Sequence, residues 1–206
     1  MEHPLLIATH NKGKVAEYRS LLADLPLAVT WLDEVGVTED VEETEDSFQG
    51  NAILKARHYA GLTGLWTWAD DSGLEIDALG GRPGVLSARY GGKGLTDADK
   101  YRKVLGEMAD VPDAQRTARF RCVVAIAQPG GKVDTRDGTL EGLIAHEPKG
   151  SHGFGYDPIF YIPSFGAALA ELERGVKNEI SHRAEAAAKA REMLARMVSE
   201  AEGKEA

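Results

Sequence analysis

The spacing of apolar residues predicts alternating strands and helices in the first half of the chain. Short apolar runs, which are typical of buried strands, occupy residues 5–8, 27–32, 66–69 and 74–76. Between the first two runs, apolar residues recur at helical spacing as far as Leu25, and Pro26 would end that helix. A second helix is predicted to start at Asp46, with Gln49 as its capping partner, and to stop within 61–64.

The second half of the chain predicts a long antiparallel hairpin and further helices. The predicted strands are residues 117–127, 132–145 and 158–162. The predicted helices are a segment that Thr96 caps and that ends near Met108, a short piece at 167–173, and a long one from Ser181 to Val198. Together these elements indicate an α/β protein with a mixed β-sheet flanked by helices, in a single domain over residues 1–206.

Composition narrows the class of protein. The 206 residues are 43% hydrophobic and 28% charged, which is ordinary for a globular domain. No apolar run reaches the roughly 18 residues that a membrane helix needs, and no signal peptide is predicted. The net charge of −9 argues against a nucleic-acid partner, which would require clustered Lys and Arg. Cys122 is the single cysteine, which favours a reducing, cytoplasmic location.

The first candidate for chemistry is the segment Thr9 to Lys14. It follows a predicted strand and precedes a predicted helix, a place where backbone N–H groups and the helix dipole favour anions. Lys12 and Lys14 add positive charge, so the segment suits a triphosphate. The Walker A pattern is absent, and an ordinary turn with solvated lysines remains an alternative at this point.

Acidic residues form the second candidate. Glu42 and Glu43 precede a helix, and Asp70 and Asp71 are predicted to lie in a tight turn completed by Ser72 and Gly73. Mg²⁺ is bound in proteins by one or two carboxylates together with phosphate oxygens and water. A carboxylate beside such an ion can also accept a proton from water. A solvated acidic loop is the alternative for the two glutamates.

Two segments near the C-terminus could contact a nucleobase. In Gly153 to Pro158, aromatic rings stand between glycines and could stack on a base, although they could equally pack in the core. Ser181-His182-Arg183, with Lys177 just before it, offers hydrogen-bond donors at the start of a helix. The alternative is that Ser181 is a simple cap before two exposed basic residues. No zinc-ligand spacing and no nucleophile-elbow motif is present.

These segments resemble, in their order along the chain, the motifs of the inosine/xanthosine triphosphate pyrophosphatase family, the Ham1-like enzymes. The motifs are Ala8-Thr9-His10-Asn11-Lys12-Gly13-Lys14, Asn51-Ala52-Ile53-Leu54-Lys55-Ala56, Ala69-Asp70-Asp71-Ser72-Gly73-Leu74, Gly81-Arg82-Pro83-Gly84-Val85-Leu86-Ser87-Ala88-Arg89-Tyr90, Phe154-Gly155-Tyr156-Asp157-Pro158-Ile159-Phe160 and Ser181-His182-Arg183. The resemblance implies hydrolysis of ITP, dITP and XTP to the monophosphate and pyrophosphate, with Mg²⁺ as cofactor. It also implies a homodimer with an elongated mixed sheet and two lobes that hold the nucleotide in a central cleft.

The resemblance further implies a role for individual residues. The phosphates would be held by Thr9, His10, Asn11, Lys12, Gly13, Lys14 and Lys55. Asp71 would be the proton acceptor and a metal ligand, and Glu42 would be the second metal ligand. Ser72 would contact the substrate. The base would be held by Phe154, Gly155, Tyr156 and Asp157, and its oxygen atoms would meet Lys177, His182 and Arg183.

Two positions depart from the common family pattern. His10 stands where many members have glycine, and Gly50 stands where many have glutamate before Asn51. Two other functions stay open at this stage. One is a Maf-like pyrophosphatase that acts on other modified nucleotides, and the other is a module that binds nucleotides without hydrolysing them.

Overall fold

The computed structural model describes residues 4–25 and 27–205 of the chain. The strands are β1 (Pro4–Ile7), β2 (Ala28–Trp31), β3 (Trp66–Ile76), β4 (Thr117–Ala127), β5 (Val133–Ile144), β6 (Phe160–Ile162) and β7 (Ala167–Ala168). The α-helices are α1 (Lys12–Leu21), α2 (Phe48–Thr63), α3 (Asp97–Glu107), α4 (Arg174–Ile180) and α5 (His182–Glu205). Short 3₁₀ turns occupy Asp77–Leu79, Gly84–Arg89, Asp113–Gln115, Asp157–Ile159 and Leu169–Glu171.

All seven strands belong to one sheet, in the order β2-β1-β3-β4-β5-β6-β7. Strand β1 pairs in parallel with both β2 and β3, so that Leu5 lies opposite Val29 on one side and Trp66 on the other. Strand β6 pairs antiparallel with β5 and with β7. The predicted α/β class with a mixed sheet is therefore confirmed.

The chain divides into two compact units. The first comprises the residues up to Asp71 together with Cys122–Gly138 and the residues from Arg183 onward, and the second comprises Ser72–Arg121 and Thr139–His182. Each unit has its own apolar core. In the first, Tyr18 and Trp68 lie edge to face with ring centroids 5.4 Å apart, and in the second, Phe120 and Phe160 pack at 4.5 Å.

The predicted turn at Asp70 to Gly73 is wrong, because β3 continues through it from Trp66 to Ile76. Asp and Gly are depleted in strands, and for that reason the sequence indicates a break. The structure stabilises the strand at this point by neutralising Asp70, whose carboxylate lies 2.8 Å from the Lys14 ammonium. Beyond it, the Leu74 N–H donates to the Ser87 hydroxyl at 2.9 Å.

Other boundaries differ in smaller ways. Helix α1 ends at Leu21 rather than Leu25, and position 26, the predicted stop, lies outside the described residues. The N-cap of α2 is Ser47 rather than Asp46: its hydroxyl accepts from the Gly50 N–H, which leaves Gln49 no capping role. The helix predicted at 167–173 is instead β7 and a 3₁₀ turn.

The predictions with strong local signals are confirmed. Strand β4 has the predicted limits, and α3 begins after Thr96 in a complete capping box with Asp99. Helix α2 ends at Thr63, within the predicted range, and its C-cap Gly64 has a left-handed φ of 68°. Helix α5 extends to Glu205, past the predicted end. Among the described residues, none of the helices has the length and hydropathy required to cross a bilayer.

Candidate active site

The first unit contains a buried cluster of charged side chains around Asp70 and Asp71, the last residues of β3 that belong to this unit. Asp70 and Asp71 are adjacent in the strand, so their side chains point to opposite faces. On one face, Asp70 meets Lys14 from α1 and lies 3.9 Å from Nε of Arg183, which begins α5. Burial alone would raise the pKa of Asp70, but Lys14, Arg183 and Lys55 together hold it well below its usual value.

On the other face, Asp71 meets side chains of α2 and of the loop before that helix. Asn51 donates to its Oδ2 at 3.1 Å, and the Lys55 ammonium lies 3.5 Å from its Oδ1. Burial raises the pKa of Asp71 above the usual value; Lys55 opposes this effect and the nearby Glu43 adds to it. Asp71 is thus a buried carboxyl with a raised pKa, a property common in catalytic bases and metal ligands.

Glu43, rather than Glu42, shares this environment. The Glu43 carboxylate lies 2.7 Å from the Lys55 ammonium, which also contacts Asp71, whereas Glu42 is exposed. Burial would lower the pKa of Lys55, but Asp71, Asp70 and Glu43 raise it, so this lysine is charged at neutral pH. The structure therefore brings Asp71, Glu43 and Lys55 together and leaves Glu42 outside the group.

The segment Thr9 to Lys14 is the predicted turn from strand to helix, but four of its backbone N–H groups already have acceptors. The Thr9 N–H donates to the Ile7 carbonyl at 3.0 Å, and the Asn11 N–H donates to the Thr9 hydroxyl at 3.1 Å. Asn11 is the N-cap of α1, and its Oδ1 accepts from the N–H groups of Gly13 and Lys14 at 2.9 and 3.1 Å. The Gly13 and Lys14 N–H groups are therefore satisfied by the Asn11 side chain rather than free to bind an anion. Lys12 is exposed, and the His10 ring contacts Asp33 at 2.5 Å.

The second unit holds the aromatic segment. The buried Asp157 carboxylate accepts from the Phe154 N–H at 2.9 Å and from the Lys177 ammonium at 2.7 Å. The same ammonium lies 4.7 Å from the centroid of the Phe154 ring, within the range of a cation–π contact. The half-buried ring of Phe154 is therefore positioned by the ion pair between Asp157 and Lys177.

The neighbours of Phe154 have structural partners. The Gly155 N–H donates to Asp97 at the start of α3, and the buried Tyr156 hydroxyl donates to the Ser87 carbonyl, both at 2.8 Å. Tyr156 therefore packs in the core of the unit, as the alternative interpretation of the aromatics expected. Ser72 is half-buried in β3 rather than in a turn.

His182 and Arg183 are buried, at 4% and 3% exposure, so the alternative of two exposed basic residues is wrong. His182 belongs to the second unit, where its ring stacks on Phe120 at 4.8 Å. Arg183 belongs to the first, where its guanidinium donates to Glu17 of α1. Burial would lower the pKa of Arg183, but Glu17 and other buried neighbours raise it, so the charge is kept.

A sequence model of the Ham1 family matches residues 5–193. The chain belongs to the Ham1 family. The dITP/XTP pyrophosphatase of Bacillus subtilis (strain 168) is 49% identical over 189 residues, which are 92% of this chain and 96% of that protein. The dITP/XTP pyrophosphatase of Shigella flexneri is 49% identical over 184 residues, or 88% and 93% of the two chains.

Solved Ham1 structures have the same fold. A HAM1 protein from Coxiella burnetii matches with a TM-score of 0.87 and 44% identity, over 94% of this chain and 99% of that one. The Ham1 protein of Staphylococcus aureus matches with a TM-score of 0.84 and 36% identity, also over 94% of this chain and 99% of that one. The Ham1 assignment thus rests on both sequence and fold.

The donor set of this Ham1 protein fits a hard divalent cation that arrives with a phosphate ligand. Within residues 4–25 and 27–205, no group of three or more His, Cys, Asp or Glu side chains could hold a metal. Mg²⁺ does not require such a group, since it accepts one or two carboxylates plus phosphate oxygens and water. Asp71 and Glu43 are near enough for Glu43 to raise the pKa of Asp71, and a cation between them would relieve that repulsion.

Proposed function

We propose that this protein hydrolyses dITP, ITP and XTP to the nucleoside monophosphate and pyrophosphate, and so removes deaminated purines from the nucleotide pool. The identity of 49% with a dITP/XTP pyrophosphatase over nearly the whole chain carries this proposal. The cluster of Asp71, Glu43 and Lys55 supports it, because carboxylates beside a lysine suit a metal-bound polyphosphate. The same cluster disfavours a module that only binds nucleotides.

In this proposal the phosphates are held by the first unit. The contributing residues are Thr9, His10, Asn11, Lys12, Gly13, Lys14 and Lys55. Asp71 and Glu43 would hold a Mg²⁺ ion, and Glu43 is preferred to Glu42 as the second ligand because Glu43 and Asp71 contact the same Lys55 ammonium. When bound, Mg²⁺ would neutralise phosphate charge and favour departure of pyrophosphate.

Asp71 accepts the proton of the attacking water in this proposal. The water oxygen forms a bond to the α-phosphorus, and the bond from that phosphorus to the bridging oxygen of the β-phosphate breaks. Pyrophosphate leaves with the electron pair, and the water proton passes to Asp71. Without a metal, burial raises the pKa of Asp71, whereas a bound cation would favour its ionised form, which is the form that accepts a proton.

The base is proposed to meet residues of the family motifs near the C-terminus. Phe154 stacks on it, and Ser72, Gly155, Tyr156 and Asp157 shape or support its surroundings. Lys177, His182 and Arg183 donate to its oxygen atoms; an arginine has five N–H groups, so the bond from Arg183 to Glu17 does not preclude another. Adenine presents a donor where hypoxanthine presents an oxygen, so ATP would leave these donors unsatisfied.

Pyrophosphate release from dITP, XTP, dGTP and ATP, with and without Mg²⁺, tests the activity. We expect turnover of dITP and XTP that requires the metal and exceeds that of ATP by a large factor, whereas the dGTP rate measures discrimination against the 2-amino group. Preference for modified pyrimidine or methylated nucleotides would instead indicate a Maf-like pyrophosphatase. Tight binding of dITP without turnover would indicate a binding module.

The choice between the two glutamates is tested by Glu43→Gln with Glu42→Gln as the matched control. Glu43→Gln should raise the Mg²⁺ concentration that gives half-maximal rate by at least about 10-fold, the lower range seen for changes around metal sites. Glu42→Gln should leave it unchanged, because that side chain is exposed. The reverse pattern would restore Glu42 as the ligand.

The organisation of the protein is also proposed. We infer a cytoplasmic homodimer in which residues 1–206 form one functional domain with two lobes, without a nucleic-acid or membrane partner. The net charge of −9 supports the absence of a nucleic-acid partner. Light scattering coupled to size-exclusion chromatography tests the dimer, for which a mass near twice 22.2 kDa is expected.

A further inference from the structure

The side chain of Asn51 ties the acidic loop before α2 to the helix. Asn51 is completely buried, and its Oδ1 accepts from the Glu45 N–H at 3.1 Å. Its Nδ2 donates to the Glu45 carbonyl at 3.3 Å. One amide therefore satisfies both backbone groups of Glu45, and so fixes the chain just after Glu43.

The same amide also reaches the proposed catalytic carboxylate. Nδ2 of Asn51 donates to Oδ2 of Asp71 at 3.1 Å, so its two hydrogens have two acceptors and its oxygen has a donor. A rotated amide would place its oxygen against the Asp71 carboxylate and the Glu45 carbonyl. Only one orientation satisfies all three partners, so Asn51 links the acidic loop to β3 in a defined geometry.

Neighbouring positions of α2 support the close approach of the loop. Gly50 lacks a side chain, and a Cβ there would lie only 2.7 Å from the Cβ of Glu45. One helical turn after Asn51, Lys55 contacts Glu43 at 2.7 Å and Asp71 at 3.5 Å. The loop is thus held against the first turns of α2, where both carboxylates meet the same helix.

We propose that Asn51 is a positioning residue that sets the spacing between the Glu43 and Asp71 carboxylates, and thereby the affinity of the site for a divalent cation. The inference rests on the proposed function, because it requires these two carboxylates to be the metal ligands. Asn51 itself binds neither metal nor substrate. It acts through hydrogen bonds to Glu45 and Asp71, in the manner of partners that orient ligands from outside a metal site.

Asn51→Leu tests the inference, because leucine has nearly the same shape and lacks the amide. Mn²⁺ affinity is measured by electron paramagnetic resonance in the presence of a dITP analogue with a methylene group between the α- and β-phosphorus. The Mg²⁺ dependence of dITP turnover is measured in parallel. We expect both affinities to fall by about 10-fold or more. If the leucine variant fails to fold, the same measurements are made on Asn51→Ser, because serine is smaller and leaves room for a water molecule.

Tyr59→Phe is the matched control. Tyr59 also lies on α2 and also ties down the preceding loop, since its hydroxyl donates to the Glu39 carbonyl and accepts from the Val41 N–H at 3.0 and 3.1 Å. It makes no hydrogen bond to Asp71 among the described residues. Loss of those bonds should lower stability without changing metal affinity. Equal changes in metal affinity for the two positions would mean that Asn51 has only a structural role.

The outcomes separate this inference from the proposed function. Should the wild-type protein neither bind Mn²⁺ with the analogue nor turn over dITP, the proposed function itself is wrong, and the inference is overturned with it. Metal-dependent wild-type turnover combined with unchanged metal affinity in the Asn51 variants overturns the inference alone. In a Glu43→Gln background, Asn51→Leu should weaken metal affinity by a smaller factor than in the wild type, since its effect passes partly through Glu43.

Discussion

Two adjacent aspartates of β3 have opposite electrostatic environments. Strand alternation directs Asp70 toward Lys14 and Arg183, and directs Asp71 toward Asn51 and the loop that carries Glu43. The pKa of Asp70 is held well below its usual value, whereas burial raises that of Asp71. Asp70 therefore stays ionised as a structural anchor, and Asp71 is the carboxylate suited to exchange a proton.

At the residue scale we predict that Asp71→Asn stabilises the protein while removing activity. The raised pKa of Asp71 means that the folded state favours the neutral carboxyl over the ionised one. The free energy of unfolding therefore falls as the pH rises through the folded-state pKa and Asp71 ionises. At neutral pH without divalent metal, the neutral amide should therefore raise the Tm in calorimetry. Turnover of dITP should fall by about 10² to 10⁴-fold.

The exposed Glu42→Gln provides the control for that experiment, with neither quantity expected to change. A lower Tm for Asp71→Asn would contradict the prediction. It would show that the attraction between Lys55 and the Asp71 carboxylate outweighs the cost of burying that charge. Near-normal turnover would remove Asp71 from the mechanism. Such a trade between stability and activity is common at active sites.

At the scale of elements, the segment that carries Phe154 depends on a glycine. Gly153 has a φ of 78°, and a Cβ on it would lie 2.0 Å from Oδ2 of Asp157, the atom that accepts from the Phe154 N–H. Gly155 has a similar φ of 65°, but a Cβ there meets nothing within 4 Å. The two glycines share a backbone requirement and differ in steric surroundings.

We predict that Gly153→Ala destabilises the protein more than Gly155→Ala. Both changes place an alanine in the left-handed region, at roughly 1 to 2 kcal/mol. Gly153→Ala must also displace the Asp157 carboxylate, which would loosen Phe154 and raise the KM for dITP. Urea unfolding of both variants measures the difference in the free energy of unfolding. Equal losses would show that Asp157 moves aside without consequence.

Elements with strong local signals could be predicted from the sequence, and those that depend on distant partners could not. The capping box at Thr96 and the β-branched and aromatic residues of β4 are local, and both elements are confirmed. Strand β3 appeared to break at Asp70 because the cation that neutralises it, Lys14, comes from another element. The proposal of Glu43 as a metal ligand has the same origin, since only the fold shows that Glu43 contacts Lys55.

At the scale of the whole molecule, the order of motifs along the chain was enough to indicate the family. It did not reveal Glu17 or Asp97, which contact motif residues from outside the recognised segments. Asn51 lies inside a motif, but the role of its amide depends on a strand and a loop that meet only in the fold. Buried partners of this kind could have been suspected only as polar residues at otherwise apolar helix positions.

The buried charges of the first unit lead to the last prediction, which concerns the pH dependence of stability. Lys14 and Arg183 share Asp70, and Arg183 also pairs with Glu17, so two cations are matched by two carboxylates from α1 and β3. Asp70→Asn removes one carboxylate and leaves the positive charge under-compensated. Loss of one partner from a buried pair typically destabilises by about 3 to 5 kcal/mol, and we expect a value in this range at neutral pH.

The dependence on pH distinguishes this loss from a simple packing defect. Because the pKa of Asp70 is lowered on folding, its contribution is complete above the unfolded pKa of about 3.9 and is lost as pH falls toward the folded value. The difference in unfolding free energy between wild type and Asp70→Asn should thus be constant from about pH 7 to 5 and narrow below about pH 4. Asp24→Asn, which removes an exposed partner of Arg191, should show a much smaller difference throughout. A gap between wild type and Asp70→Asn that stayed constant into strong acid would mean that the loss arises from packing rather than from the charge of Asp70.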